Sequence, residues 1–171
     1  AGGYSGLIRR LDLRPTIVDG VTVYKYNVKT ILGSIGGSKT VGVRGDTIDG
    51  NLGTSKMWVL WALCISNDNN TLYSLETKQP NYEIILRKID LTTDVFTVTT
   101  IIDLDVGSTP MSPIGEYVGN TMAIDPNNNY ILYTANGDTK IKKINLIDNT
   151  VSHWFGDGAD NTSSTSMRRC K

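Results

Sequence analysis

Histidine and cysteine are scarce in this chain of 171 residues, which has one histidine and two cysteines. A catalytic zinc site usually takes three protein ligands, commonly with more than one histidine. We therefore expect His153 to be a packed or surface residue of a strand. The sequence also lacks a GxSxG nucleophile motif and a glycine-rich phosphate-binding turn that opens a helix. It predicts no catalytic residue, no metal site and no cofactor.

Net charge and long apolar runs are also lacking. Lys and Arg together number 17, as do Asp and Glu, so there is no broad positive field to attract nucleic acid. No apolar run is long enough to span a membrane. With 39% hydrophobic residues, the chain is too apolar to be disordered. We expect a globular protein that binds no nucleic acid and inserts into no membrane.

A short pattern of the form IxxIDL occurs three times. The copies are LIRRLDL at residues 7–13, LRKIDL at 86–91 and IKKINL at 141–146. A polar turn and a β-branched run follow each copy, so the same unit is built repeatedly. The basic residues at the centre of each copy alternate with apolar ones, which predicts that they lie on the solvent side of an outer strand.

The second and third copies belong to longer matching units. Residues 60–76 (LWALCISNDNNTLYSLE) align with 120–136 (NTMAIDPNNNYILYTAN), so that ALCIS matches TMAID and TLYSLE matches ILYTAN. Each unit contains an apolar run, an Asn-rich turn, an LY strand, the IxxIDL strand and a Thr/Val strand. Short strands at this spacing, without helical periodicity, indicate an all-β repeat protein. Four-stranded units of roughly 40–50 residues are typical of β-propeller blades.

This alignment predicts specific blades. Residues 57–102 and 120–155 should each form a four-stranded antiparallel sheet, with the strand after the glycine-rich loop innermost. Cys64 and Ala123 should occupy equivalent buried positions on those innermost strands, because ALCIS aligns with TMAID.

The chain resembles the NHL-repeat family of β-propellers. The matching pieces are a glycine-rich loop, an apolar strand, an LY strand, a basic IxxIDL strand and a closing strand with glycine. They are GVRGDTIDGNLGTSKM (42–57), TMAID (121–125), ILYTAN (131–136), ILRKIDL (85–91), TILGS (30–34) and HWFGDGAD (153–160). The resemblance covers nearly the whole chain and implies a propeller of four-stranded antiparallel blades.

The implied propeller is incomplete. Residues 1–33 supply the outer strands of a blade, 34–102 and 103–155 each supply a blade, and 156–171 begin the next. This single partial domain has about two and a half blades, whereas closed propellers have about four to eight. Open ends expose sheet faces and edges, which natural proteins avoid. We expect the rest of the same polypeptide or partner chains to complete the ring. The chain is then a fragment, a cleavage product or a protomer.

Several loop residues are candidates for a binding face. Arg44-Gly45-Asp46 spells RGD, a tripeptide that integrins bind, within the glycine-rich loop. Asp46 and Asp49 are potential cation ligands, but calcium takes six to eight oxygens, and Asp and Gly also simply form turns. Loop aromatics often anchor ligands or sugars. The candidates are Arg44, Asp46, Asp49, Trp58, Tyr82 and Tyr117.

Cysteine use and glycosylation motifs bear on the compartment. Cys64 lies in an apolar run, where a small buried thiol is the commonest case; a disulfide with Cys170 is the alternative. Two N-x-[ST] sequons place candidate glycans at Asn69 and Asn161. They favour an extracellular or cell-surface setting, with the cytoplasm as the alternative.

Three functions follow from these observations. The leading one is a non-enzymatic protein-interaction or scaffold module, since the repeats are clear and catalytic groups are missing. The second is a glycan-binding propeller that uses loop aromatics with Asn and Asp. The third is a portion of a propeller lyase or lactonase. The resemblance implies that such an enzyme holds its metal through several histidines at the propeller centre, and this chain alone does not supply them.

Overall fold

A computed structural model describes residues 8–32, 47–57, 59–78, 83–104, 121–134 and 140–156. The chain is all-β, as predicted, and it divides into two compact units, Ala1–Ser112 and Pro113–Lys171. The strands within the described residues are β1 Ile8–Val18, β2 Val21–Leu32, β3 Val59–Ile65, β4 Thr71–Lys78, β5 Glu83–Asp90, β6 Val98–Leu104, β7 Met122–Ile124, β8 Tyr130–Thr134, β9 Ile141–Asn145 and β10 Val151–Phe155.

These described strands form three antiparallel sheets. In the first unit, β1 and β2 make a long two-stranded ribbon, and β3-β4-β5-β6 make the first sheet in that order. In the second unit, β7-β8-β9-β10 make the second sheet. Consecutive strands are neighbours throughout, as in the blades that the repeats predict. The prediction of two four-stranded antiparallel sheets is confirmed, with β3 and β7 at their edges.

Equivalent tight turns open both sheets. The β3–β4 turn closes with the Asn69 amide donating to the Ser66 carbonyl at 2.9 Å, and the β7–β8 turn with the Asn128 amide donating to the Asp125 carbonyl at 2.8 Å. Asn69 and Asn128 have positive φ angles of 60° and 59°. Asparagine adopts this left-handed conformation more readily than most residues, which explains why the turns are rich in it.

The predicted alignment of the LY strands is wrong by one residue. Tyr73 lies opposite Lys88, whereas Leu132 lies opposite Lys143. Since the two lysines hold the same place in the IxxIDL pattern, the equivalent of Tyr73 is Leu132 and not Tyr133. A shift of one residue moves a side chain to the other face of a sheet. Tyr133 is accordingly buried, while Tyr73 is half-buried.

Cys64 and Ala123 are equivalent, but the prediction that both are buried is wrong. Cys64 lies opposite Tyr73, and Ala123 lies opposite Leu132. Their positions therefore correspond, yet Cys64 is half-buried and Ala123 is exposed. Both residues lie on edge strands, each of which pairs with a neighbouring strand on one side only within the described sheets.

The core of the first unit lies where the base of the ribbon meets the first sheet. Ribbon residues Ile8, Ile31 and Leu32 are buried together with Ile89, Phe96 and Val98 of the sheet and Met57 of the glycine-rich segment. Strand β5 is covered on both faces, because four consecutive residues, Ile84 to Arg87, are buried. Full burial of a strand normally calls for a continuous apolar run, and Arg87 breaks that run.

The three IxxIDL copies fold as the same bulged hairpin. In each, the second strand carries one extra residue beside the basic centre of the pattern, which is a β-bulge. The extra residues are Ile31, Ile101 and Trp154. They lie between the pairs Arg9–Thr30 and Ile8–Leu32, Arg87–Thr100 and Leu86–Ile102, and Lys142–His153 and Ile141–Phe155.

Candidate functional site

Arg87 on β5 is completely buried, and its guanidinium donates hydrogen bonds to four acceptors. Its Nη1 donates to Glu76 Oε2 at 2.8 Å and to the Lys56 carbonyl at 2.9 Å. Its Nε donates to Asp49 Oδ1 at 3.0 Å, and its Nη2 donates to the Ile48 carbonyl at 2.7 Å. The guanidinium therefore ties the glycine-rich segment 47–57 to the first sheet.

The burial of Arg87 corrects the prediction that the central basic residues of IxxIDL face solvent. Lys88 is exposed as predicted, but Arg87 is buried. Successive side chains of β5 do alternate between its two faces. Because β5 is an inner strand with both faces covered at Arg87, that side chain also points into the protein. A buried cation needs paired charges and hydrogen bonds, and segment 47–57 provides them.

Asp49, a predicted binding-face residue, accepts hydrogen bonds from Thr100 and Arg87 of this chain. Its Oδ2 accepts the Thr100 amide at 2.7 Å, and its Oδ1 accepts the Thr100 hydroxyl at 3.0 Å in addition to Arg87. These bonds join segment 47–57 to β6, beside a backbone bridge between Gly50 and Val98. Across the described residues, no three His, Cys, Asp or Glu side chains are grouped so as to hold a metal ion.

Glu76 is the second buried charge of this cluster. It is fully buried on β4, where the Ser74 hydroxyl donates to its Oε1 and Arg87 donates to its Oε2. Burial raises the pKa of the Glu76 carboxyl, and the Arg87 charge and these hydrogen bonds oppose the rise without cancelling it. Desolvation thus outweighs the ion pair at this carboxyl.

A raised pKa gives Glu76→Gln a defined pH signature. The folded state favours protonated Glu76, so its contribution to stability is full below the ordinary pKa of 4.5 and is lost as the pH rises through the folded value. A neutral glutamine does not titrate. The free energy of unfolding of the variant, measured by urea titration, should therefore improve relative to wild type as the pH rises above 4.5.

Asp68→Asn supplies a control of opposite sign. Hydrogen bonds from Ser66 and Asn70 lower the pKa of Asp68. Its contribution is therefore present above the ordinary pKa and lost in acid. This variant should lose stability relative to wild type as the pH rises. A Glu76→Gln difference that stays constant with pH, or follows the sign of Asp68→Asn, contradicts the effect assigned to burial.

An exposed apolar surface runs along one face of the ribbon. Residues alternate between the two faces of a strand, and the pairs Leu11–Val28 and Pro15–Tyr24 share this face. Its described members are all exposed, with Tyr26 70% exposed. We call this surface the ribbon face: Leu11, Pro15, Ile17, Tyr24, Tyr26 and Val28.

The opposite face of the ribbon is anchored at its base. Lys29 pairs with Asp94 and lies 5.6 Å from the centre of the Phe96 ring. Arg10, opposite Lys29 in the ribbon, lies 5.7 Å from the same ring. The ribbon is therefore held to the β5–β6 turn by the face that carries Arg10 and Lys29, which leaves the apolar ribbon face open.

A second aromatic group lies on the second sheet. The rings of Tyr130 and Trp154 stack with centres 5.6 Å apart and planes inclined by 28°. Lys143 Nζ lies 4.3 Å from the centre of the Tyr130 ring and 5.0 Å from that of Trp154. Trp154 is half-exposed, so part of this stack faces solvent.

Most predicted site residues lie outside the described part of the chain. These are Arg44, Asp46, Trp58, Tyr82, Tyr117 and Asn161. Asn69 is exposed in the β3–β4 turn, as a glycan acceptor would need. His153 is exposed on β10, with its Nε2 at 3.1 Å from the Phe155 carbonyl oxygen. Cys64 is a free thiol, and burial raises its pKa to about 12; Cys170 is outside the described residues.

No protein-family profile matches this chain, and no curated protein or solved structure matches it either. The fold and the candidate site are therefore inferred from the sequence and structure of this chain alone. In the described ranges, no helix has the length and apolar character needed to cross a membrane.

The ribbon face is not among the binding surfaces that the sequence predicts, although the sequence contains a signal for it. Residues 15–20 include the tip of the ribbon, with Asp19 and Gly20 in the turn at positive φ. The signal is the alternation of Tyr24, Tyr26 and Val28 along β2, which is typical of one apolar face.

Proposed function

We propose that this chain is a non-enzymatic protein-interaction module of the NHL-repeat propeller type and that the ribbon face is its docking surface. The observation that carries the proposal is a set of six exposed apolar and aromatic residues on one side of a two-stranded ribbon. Monomeric proteins rarely expose contiguous apolar patches beyond a few hundred Å². Such patches mark sites where another molecule binds.

The size and composition of the ribbon face suit a protein partner. A covered aromatic side chain buries roughly 150–250 Å². Covering two tyrosines and four smaller residues therefore buries on the order of 600 Å², close to the roughly 800 Å² per partner of a stable interface. Tyrosine is also enriched in the centres of protein interfaces. Small-molecule sites are typically concave with convergent polar groups, whereas the six members of the ribbon face are exposed apolar or aromatic residues.

The proposed setting is a larger extracellular or cell-surface assembly, with the cytoplasm as the alternative. The exposed Asn69 sequon supports the first, because its acceptor amide lies in a tight surface turn. The rest of the assembly is either more of the same polypeptide or partner chains.

Glycan binding is a second candidate function, and the Tyr130–Trp154 stack favours it. Exposed aromatic rings offer flat apolar surfaces on which sugar rings can lie. Lys143 already lies against both rings, which reduces the free area. A glycan array tests this candidate directly: specific binding that Trp154→Ala abolishes supports it.

The docking role of the ribbon face can be tested by site-directed photocrosslinking. A photoreactive phenylalanine analogue in place of Tyr26 should form discrete adducts with partner proteins in an extract of the source cells. The same analogue in place of Ile147, an exposed turn residue of the second unit, is the matched control and should form none. A further Leu11→Glu substitution should remove the Tyr26 adducts, because it places a charge within the apolar face.

Equal adduct patterns at Tyr26 and Ile147, or Tyr26 adducts that survive Leu11→Glu, contradict the docking role. Turnover of a lactone or glycan substrate that disappears in His153→Ala contradicts the non-enzymatic part of the proposal.

A further inference from the structure

The first unit shows how one IxxIDL hairpin packs against the next. The ribbon contributes its bulged residue Ile31 and the following Leu32, both buried. The β5–β6 hairpin receives them with the facing pair Ile89–Val98 and with Phe96. The interface therefore has a docking side on one hairpin and a receiving side on the following one.

The β9–β10 hairpin has a docking side of the same construction. Its bulged residue is Trp154, at the place of Ile31, and Phe155 follows at the place of Leu32. Lys143 holds the place of Arg10 in the IxxIDL pattern. Ile31 and Leu32 are buried, whereas Trp154 and Phe155 are 50% and 54% exposed. The docking side of the β9–β10 hairpin is therefore present, but its two aromatic side chains are exposed to solvent.

The ribbon has a receiving side of the same construction. Its facing pair Leu11–Val28 holds the place of Ile89–Val98. Leu11 and Val28 are 55% and 54% exposed, whereas Ile89 and Val98 are 0% and 1% exposed. Tyr26 precedes Val28 by two residues, as Phe96 precedes Val98. This receiving side is the part of the ribbon face formed by Leu11, Tyr26 and Val28, and it is also exposed.

We propose that a second copy of this chain occupies the ribbon face, through the β9–β10 hairpin with Trp154 and Phe155. The proposal rests on the proposed function, since it names the partner of the same surface. The occupant is a second copy because this chain itself carries the docking side that repeats the packing of Ile31 and Leu32. Lys143 would lie against Tyr26 as Arg10 lies near Phe96, a cation–π contact.

Such an interface is head-to-tail, because two different surfaces meet. Head-to-tail contacts generate rings or open filaments rather than a symmetric pair. Each copy can bind one neighbour through its ribbon and another through β9–β10. The wild-type chain should therefore form a concentration-dependent series of species larger than dimers.

Sedimentation velocity of the purified full chain tests this, with one variant for each side. Leu11→Glu blocks the receiving side, and Trp154→Glu blocks the docking side. Each change should weaken association by about tenfold or more, as expected for a central contact residue. Ile147→Glu, at an exposed turn residue outside both surfaces, should associate like the wild type. Far-UV circular dichroism of each variant checks that it is folded.

Mixing the two blocked variants gives the decisive result. Leu11→Glu keeps an intact docking side and Trp154→Glu keeps an intact receiving side, so an equimolar mixture should form one-to-one dimers and nothing larger. A wild-type chain that sediments as a monomer of 18.7 kDa at all concentrations overturns the proposal. So does a mixture that does not dimerise, or single variants that associate like the wild type.

Failure here and failure of the proposed function are distinguishable. A monomeric wild-type chain whose Tyr26 still crosslinks specifically to other proteins contradicts self-association alone. A monomeric chain without specific Tyr26 adducts contradicts both.

Discussion

Replacing Arg87 with methionine should lower the free energy of unfolding by about 3–5 kcal/mol, the cost of breaking a buried ion pair by removing one partner. The substitution leaves the fully buried Glu76 without its cation and the carbonyls of Ile48 and Lys56 without a shared donor. Methionine has a similar length, so the loss comes from charge and hydrogen bonds rather than from a cavity. Urea unfolding, followed by tryptophan fluorescence, measures it.

Lys88→Met is the matched control for Arg87→Met. Lys88 is the next residue on the same strand and is exposed, so its replacement should change stability by no more than about 0.5 kcal/mol. A double variant, Arg87→Met with Glu76→Leu, should recover much of the loss, since it removes the unpaired buried carboxylate. If Arg87→Met costs no more than Lys88→Met, the buried cluster does not hold segment 47–57 to the sheet.

Replacing Phe96 with alanine should cost about 3–5 kcal/mol, as is usual for removing a buried aromatic side chain. Phe96 is fully buried among the core residues that join the ribbon base to the first sheet. It has a φ of 50°, and alanine at this position keeps that strained backbone. The loss therefore reports packing, together with the contacts that Arg10 and Lys29 make near the ring.

Hydrogen exchange should locate the damage in the Phe96→Ala variant. The amides of β2 near Ile31 and Leu32 should exchange faster, because their side chains lose the surface they pack against. Val95→Ala, at the exposed neighbouring residue, should change neither exchange nor stability beyond about 0.5 kcal/mol. Unchanged exchange in β2 in the Phe96→Ala variant would show that the ribbon base is held by other contacts.

These two residues bear on function because they fix the surfaces to which the ribbon is attached. Arg87 orders segment 47–57 beside β6, and Phe96 seats the base of the ribbon. A docking surface held in one orientation before binding loses less conformational freedom when a partner arrives. We expect Phe96→Ala to weaken docking at the ribbon face even where most of the protein remains folded.

The fold class was within reach of the sequence because repeats and strand periodicity are local. Three IxxIDL copies, each with a turn and a β-branched strand, predict hairpins that differ little from those observed, and the Asn-rich turns mark where β3 and β7 end. The common bulge at Ile31, Ile101 and Trp154 was not predicted. A bulge depends on which residues face each other across strands, and the spacing of apolar residues in one strand does not show that.

The register of the LY strands shows the same limit. The sequence alignment makes Tyr73 and Tyr133 equivalent, because each follows a leucine. In the structure, Tyr73 lies opposite Lys88 and Leu132 lies opposite Lys143, so Leu132 is the equivalent of Tyr73. Cross-strand pairing is set by turn geometry and by which face is covered. Identical residues in two copies of the repeat indicate neither the turn geometry nor the covered face.

The sequence by itself determined that the chain is all-β and that one hairpin is used three times. Only the tertiary structure decided burial. Arg87 and Lys88 are adjacent basic residues of one pattern, yet one is buried in an ion cluster and the other is exposed. The pairs Ile89–Val98 and Leu11–Val28 are equivalent in sequence, yet only the first is covered. Burial depends on which distant segment packs against a surface, and the sequence of that surface does not contain this information.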